Sequence, residues 1–71
     1  MATAVLRVRG MSCDHCVRTV AQALEAVEGV ERAEVDLKQG RAVVEYREGS
    51  TTPARLAGVV MDEGYIAEEL A

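Results

Sequence analysis

The sequence contains no tryptophan and no phenylalanine, and only two tyrosines among its 71 residues. Its core must therefore be made of Val, Leu, Ala and a few Met. Positive charge is not in excess either: the formal net charge is −4. Residues 1–55 carry eight basic and eight acidic side chains, so the excess comes from Asp62, Glu63, Glu68 and Glu69. With no basic stripe, nucleic acid is a poor partner and so is an anionic membrane. No apolar run approaches the roughly 20 residues of a membrane span. The N-terminus has no apolar targeting core, because Arg7 and Arg9 interrupt it. These absences leave the cytosol as the default compartment.

Seventy-one residues make one domain, expected to span 1–71. A chain of this length buries only about 60% of its unfolded surface, so the core is marginal. With 49% hydrophobic residues in patterned positions, it still reads as folded. The chain begins with Met1 and shows no linker at either end, which reads as a freestanding protein.

The apolar period sets the element order. Residues 3–9 read as a strand, with Leu6 and Val8 on one face and Arg7 and Arg9 on the other. Val5 breaks the alternation. Gly10 ends the strand. Val17, Val20, Leu24 and Val27 then form one helical stripe, with Arg18, Gln22 and Glu25 opposite. Ser12 and Asp14 are both candidates to cap this helix, and Gly29 is its expected left-handed stop. Residues 30–37 and 41–47 alternate on either side of Lys38-Gln39-Gly40, which reads as a β-hairpin. Thr52-Pro53 starts a second helix, weakened by Gly58 and ended by Gly64. Residues 65–70 alternate poorly and suit an edge strand.

The resulting βαββαβ order predicts an α+β, ferredoxin-like sandwich: a four-stranded antiparallel sheet in the order 4-1-3-2, with two helices on one face. In that topology the end of the first strand lies beside the start of the last. Tyr65 is then expected near residues 10–16.

Gly10-Met11-Ser12-Cys13-Asp14-His15-Cys16 holds both cysteines and the only histidine. Thiolates are soft ligands that select Cu(I), Zn(II) and similar ions. A helix N-terminus favours the thiolate through its unpaired N–H groups and dipole. Cys16 is expected in the first helical turn and Cys13 on the loop before it. Structural zinc wants four protein ligands, and this chain has no second cysteine pair. Cu(I) accepts two thiolates in a near-linear arrangement and leaves room for an incoming third. Such a site suits handing an ion on.

This stretch resembles the GMxCxxC signature of heavy-metal-associated domains. With His15 before the second Cys and the late Gly64-Tyr65, it is similar to bacterial CopZ-type copper chaperones. The resemblance covers nearly the whole chain. It implies a cytosolic, non-enzymatic carrier of Cu(I), with Cys13 and Cys16 as metal ligands. Met11 matches a residue that points into the core and steadies the loop. Tyr65 matches a residue beside the site, and His15 a position associated with thiol acidity or dimers. Ser12 stands where zinc- and cadmium-type relatives often carry an acid, which leans toward copper. The implied partners are the metal-binding domain of a copper-transporting P-type ATPase and a copper-sensing repressor. A copper-bridged homodimer is a further implied assembly. The lack of Phe in the core departs from many relatives.

Other readings share these residues. A CxxC pair at a helix start also suits a dithiol oxidoreductase, although that class wants a proline near the site and the only one is Pro53. A domain excised from an ATPase, or a carrier of Hg, Zn or Cd, would use the same thiols.

Overall fold

The structure, a computed structural model, describes residues 1–70. Six elements follow one another: β1 (Ala2–Arg9), α1 (Asp14–Glu25), β2 (Val30–Asp36), β3 (Arg41–Tyr46), α2 (Pro53–Asp62) and β4 (Ile66–Glu69). The strands form one antiparallel sheet in the order β2-β3-β1-β4, which is the expected order read from the other edge.

Alternation along the strands decides what the sheet buries. Ala4, Leu6 and Val8 of β1, with Ala42, Val44 and Tyr46 of β3, turn toward the helices. Val20 and Leu24 of α1 and Leu56 and Val60 of α2 meet them, all four fully buried. No polar or charged residue is buried among those described. The other face of the sheet is open and carries the arginines of β1 and β3.

Several local expectations are corrected. Neither Ser12 nor Asp14 caps α1. Cys13 is the N-cap, in extended conformation, and its side chain makes no capping bond. Its carbonyl instead accepts from the amides of Cys16 (3.1 Å) and Val17 (3.3 Å). Helix α1 ends at Glu25 rather than running to Gly29, and its last amide bonds arise at Ala26. Gly29, at φ +92°, belongs to the turn that enters β2. Leu37 lies just outside β2 and is exposed. Tyr65 and Leu70 flank β4 rather than belonging to it. Helix α2 begins as expected, with Thr52 Oγ1 accepting from the Arg55 amide at 3.2 Å.

Two contacts set the end of the sheet where the cysteines lie. The Val8 amide donates to the Gly40 carbonyl at 2.7 Å, tying the hairpin tip to the end of β1. Arg9 pairs with Ile66, so Gly10 and Tyr65 meet. Gly10 turns the chain at φ +100°, which only glycine adopts cheaply, and a Cβ there would touch the Tyr65 ring at 3.5 Å.

Candidate metal centre

The site is built on a change of backbone geometry. β1 delivers the chain to Gly10, and the left-handed turn there directs Met11 inward and Ser12 and Cys13 outward. Met11 is half-buried and packs against the core. Cys13 is exposed, and Cys16, one helical turn on, is half-buried. Both are free thiols, with their sulfurs 3.9 Å apart.

That separation can be tested against a shared ion. With metal–thiolate bonds of about 2.3 Å, sulfurs this far apart subtend roughly 115° at a common ion. A linear S–metal–S arrangement would need roughly 4.6 Å on the same bond length. The resting geometry is thus nearer that of a three-coordinate ion than the near-linear pair expected. The reason is the helix start: the i, i+3 spacing stacks the two side chains on one side of the first turn. Opening to a linear pair needs well under 1 Å of sulfur movement, and Cys13 stands on the loop side where such movement is available.

The two thiols differ in their surroundings. Cys16 is lowered from the ordinary 9.0 to about 6, chiefly by a hydrogen bond from the Ser12 backbone N–H. The Tyr65 hydroxyl is the next contributor, and the Ser12 hydroxyl and the Cys13 thiol add to it. Partial burial works in the opposite direction. Ser12 Oγ lies 3.8 Å from the Cys16 sulfur. The Tyr65 hydroxyl is pushed up in turn, because it keeps its proton to donate to Cys16 and because burial and nearby negative charge disfavour its loss. The thiolate is therefore supported first by the loop preceding the helix, where the sequence had pointed to the helix terminus alone.

Of the residues singled out from sequence, the structure brings Cys13, Cys16 and Tyr65 together. His15 is exposed on the first turn of α1, with its carbonyl accepting from Thr19 Oγ1 at 3.0 Å. Among the described residues no group of three or more His, Cys, Asp and Glu side chains is placed to hold an ion. The sequence presents Ser12 as a candidate cap and as a position where some relatives carry an acid, not as a contact of Cys16. Its spacing to Cys16, four residues, was the available signal for its contact with that sulfur.

Known proteins resemble this chain in sequence and in fold. The model of the family described as "Heavy-metal-associated domain" matches residues 5–65. The chain is 38% identical over 65 residues to the copper chaperone CopZ of Staphylococcus saprophyticus, covering 92% of this chain and 96% of that protein. Among solved structures it is similar to a copper-binding domain from HMA7, a P-type ATPase, with a TM-score of 0.97 and 35% identity over 100% of this chain and 96% of the other. It is also similar to the yeast copper transporter domain Ccc2a, solved in apo and Cu(I)-loaded states, with a TM-score of 0.91 and 28% identity over 97% and 94% of the two chains.

Proposed function

The chain belongs to the heavy-metal-associated domain family, and from that premise we propose that it is a Cu(I) carrier rather than an enzyme. Cys13 and Cys16 are its ligands, and residues 1–71 act as one unit in the cytosol. The observation that carries this reading is the pair of free thiols 3.9 Å apart, one exposed and one held. Two soft anions at this spacing suit a soft monovalent cation, and no further metal-ligating cluster among the described residues closes the site around it.

The chemistry of release follows from the asymmetry of the thiols. Cys16 receives hydrogen bonds that support its charge, so it is the anchoring sulfur. Cys13 is exposed and projects from the loop, so an incoming thiolate meets the ion on its side. The acceptor's sulfur bonds to the ion, Cys13 detaches, and Cys16 follows once a second acceptor thiolate has entered. Charge is conserved throughout, since each departing thiolate is replaced by another. An acceptor for this exchange is itself a soft dithiol. The metal-binding domain of a copper-transporting P-type ATPase fits, in keeping with the similarity to such a domain, and a copper-responsive repressor is the other candidate. In a copper-bridged homodimer, the further candidate assembly, a second copy of this chain would supply the incoming thiolates. Met11 steadies the loop from the core, Tyr65 supports the thiols, and His15, exposed on the first turn of α1, is a further candidate supporting group.

The test is titration of the fully reduced protein with Cu(I) against a competing chelator. Tight binding of one ion per chain is expected, with Cys13→Ser and Cys16→Ser each abolishing it. Binding that survives both substitutions would overturn the reading. Competition with Hg(II), Zn(II) and Cd(II) in the same vessel identifies the preferred ion. Robust turnover of insulin disulfides would favour a dithiol oxidoreductase instead, a chemistry the lowered Cys16 thiol also suits.

A further inference from the structure

Strand β4 is weakly anchored for an element with so much depending on it. It has four residues at the edge of the sheet, and only Ala67 among them is buried. A methyl group is the smallest apolar anchor a strand can offer. Ile66 is 62% exposed, and Leu70, just beyond the strand, is 41% exposed. The backbone ladder to β1 runs over four residue pairs, continued by the Leu70 amide on the Val5 carbonyl at 2.7 Å. Tyr65 immediately precedes this strand, and its ring lies against Gly10, at the turn that leads to the cysteines.

The strand has one further hold. Register places Arg7 opposite Glu68 and Arg9 opposite Ile66, so Arg7, Arg9 and Glu68 share the open face of the sheet. Glu68 Oε1 lies 3.5 Å from Arg9 Nη2 and 3.9 Å from Arg7 Nε. One carboxylate thus bridges two guanidiniums two residues apart on β1, on the side of the sheet away from the helices. An exposed pair of this kind contributes little to a well-packed element. For a strand whose packing is one Ala side chain, the same contribution is a substantial part of what keeps it from fraying.

We propose that Glu68, gripped by Arg7 and Arg9 on the open face, is a positioning residue that seats β4 and so holds the Tyr65 ring against Gly10, at the start of the loop that carries Cys13 and Cys16. The clamp itself is independent of any ion. Its consequence for metal release rests on the carrier reading above.

Two measurements test it. The first is amide hydrogen exchange on the metal-free protein. Glu68→Gln is expected to speed exchange of the β4 amides by roughly two- to fivefold, the range an exposed ion pair supports, while core amides of β3 stay unchanged. Raising salt to about 1 M screens the pairs. It should move the wild type toward the variant and leave the variant where it is. The second is Cu(I) release to a chelator in wild type, Tyr65→Phe, Glu68→Gln and the double variant. Glu68→Gln should move the rate part of the way to that of Tyr65→Phe and add nothing in the Tyr65→Phe background.

Unchanged β4 exchange in Glu68→Gln would overturn the proposal. So would a Glu68→Gln effect of equal size in both backgrounds, or a Tyr65→Phe variant that releases Cu(I) as the wild type does. Failure of the wild type to hold Cu(I) at all would defeat the carrier reading, and the exchange measurement would still decide whether Glu68 seats the strand.

Discussion

Cys13 and Cys16 carry the same side chain three positions apart, and Cys16 collects hydrogen bonds that favour its anion. Alkylation of the metal-free protein should therefore show Cys16 reacting with a midpoint near pH 6, against 9.0 for an ordinary thiol. Tyr65→Phe should raise that midpoint, because it removes one donor to the sulfur. Ser12→Ala should raise it less, since the larger contribution from Ser12 comes from its backbone N–H and survives the substitution. The sign for stability follows from linkage. A thiol whose folded value is depressed adds stability that is fully present above its unfolded value and lost as pH falls through the folded one. The melting temperature of the metal-free protein should thus climb between about pH 6 and pH 9. Cys16→Ser should flatten that climb. A flat wild-type profile over the same window would show that Cys16 has an ordinary acidity.

The two helices start by different means, and the sequence disclosed only one of them. Thr52-Pro53 is a local signal, and Thr52 caps α2 through its side chain. Helix α1 starts on Cys13 with backbone bonds alone, because the loop is shaped by Gly10 and by Met11 reaching the core. That leaves the Cys13 sulfur uncommitted, where a Ser or Asp cap would have spent its side chain on the helix. Gly58 has open space where a Cβ would stand and lies inside α2. Gly58→Ala should stabilise the protein by about 0.4–1 kcal/mol, a rise in melting temperature of some 2–8 °C for a domain of this size. Gly29→Ala should do the opposite. Its Cβ would overlap the Ser50 side chain, and φ is +92° there, so a loss of about 1–3 kcal/mol is expected on thermal melting. The sequence marked both glycines as exceptions within or beside helices. Only the packed loops distinguish a free position from an occupied one.

At the scale of the whole molecule, a core without Phe or Trp depends on a few aliphatic side chains. Leu6, Leu24 and Leu56 are the largest that are fully buried. A stability of roughly 0.05–0.15 kcal/mol per residue gives a chain of this length about 4–11 kcal/mol in total. Leu24→Ala, at a cost of about 2–5 kcal/mol, should remove a large share of it. Urea melts would show this as a lower midpoint with a nearly unchanged slope. Cu(I) bound to the folded state alone should restore part of the loss in proportion to the logarithm of its concentration. A variant that Cu(I) does not re-stabilise would indicate that the loop no longer forms its site. No helix is long and apolar enough to cross a membrane among the described residues.

Element type and order were legible in the chain, because the periods of 2 and 3.6 are properties of neighbouring residues and survive without knowledge of the rest. The softness of two thiols and their closeness at i, i+3 were legible for the same reason. Topology also placed Tyr65 near the cysteines before any coordinates. The sequence alone did not give the Ser12 N–H on Cys16, the backbone-only start of α1, the resting angle that the sulfurs would subtend, or the grip of Arg7 and Arg9 on Glu68. Each of these depends on the register between β1 and β4 or on the path of one loop. Those are fixed by the summed packing of the whole sheet against both helices, a quantity that no local window of residues contains.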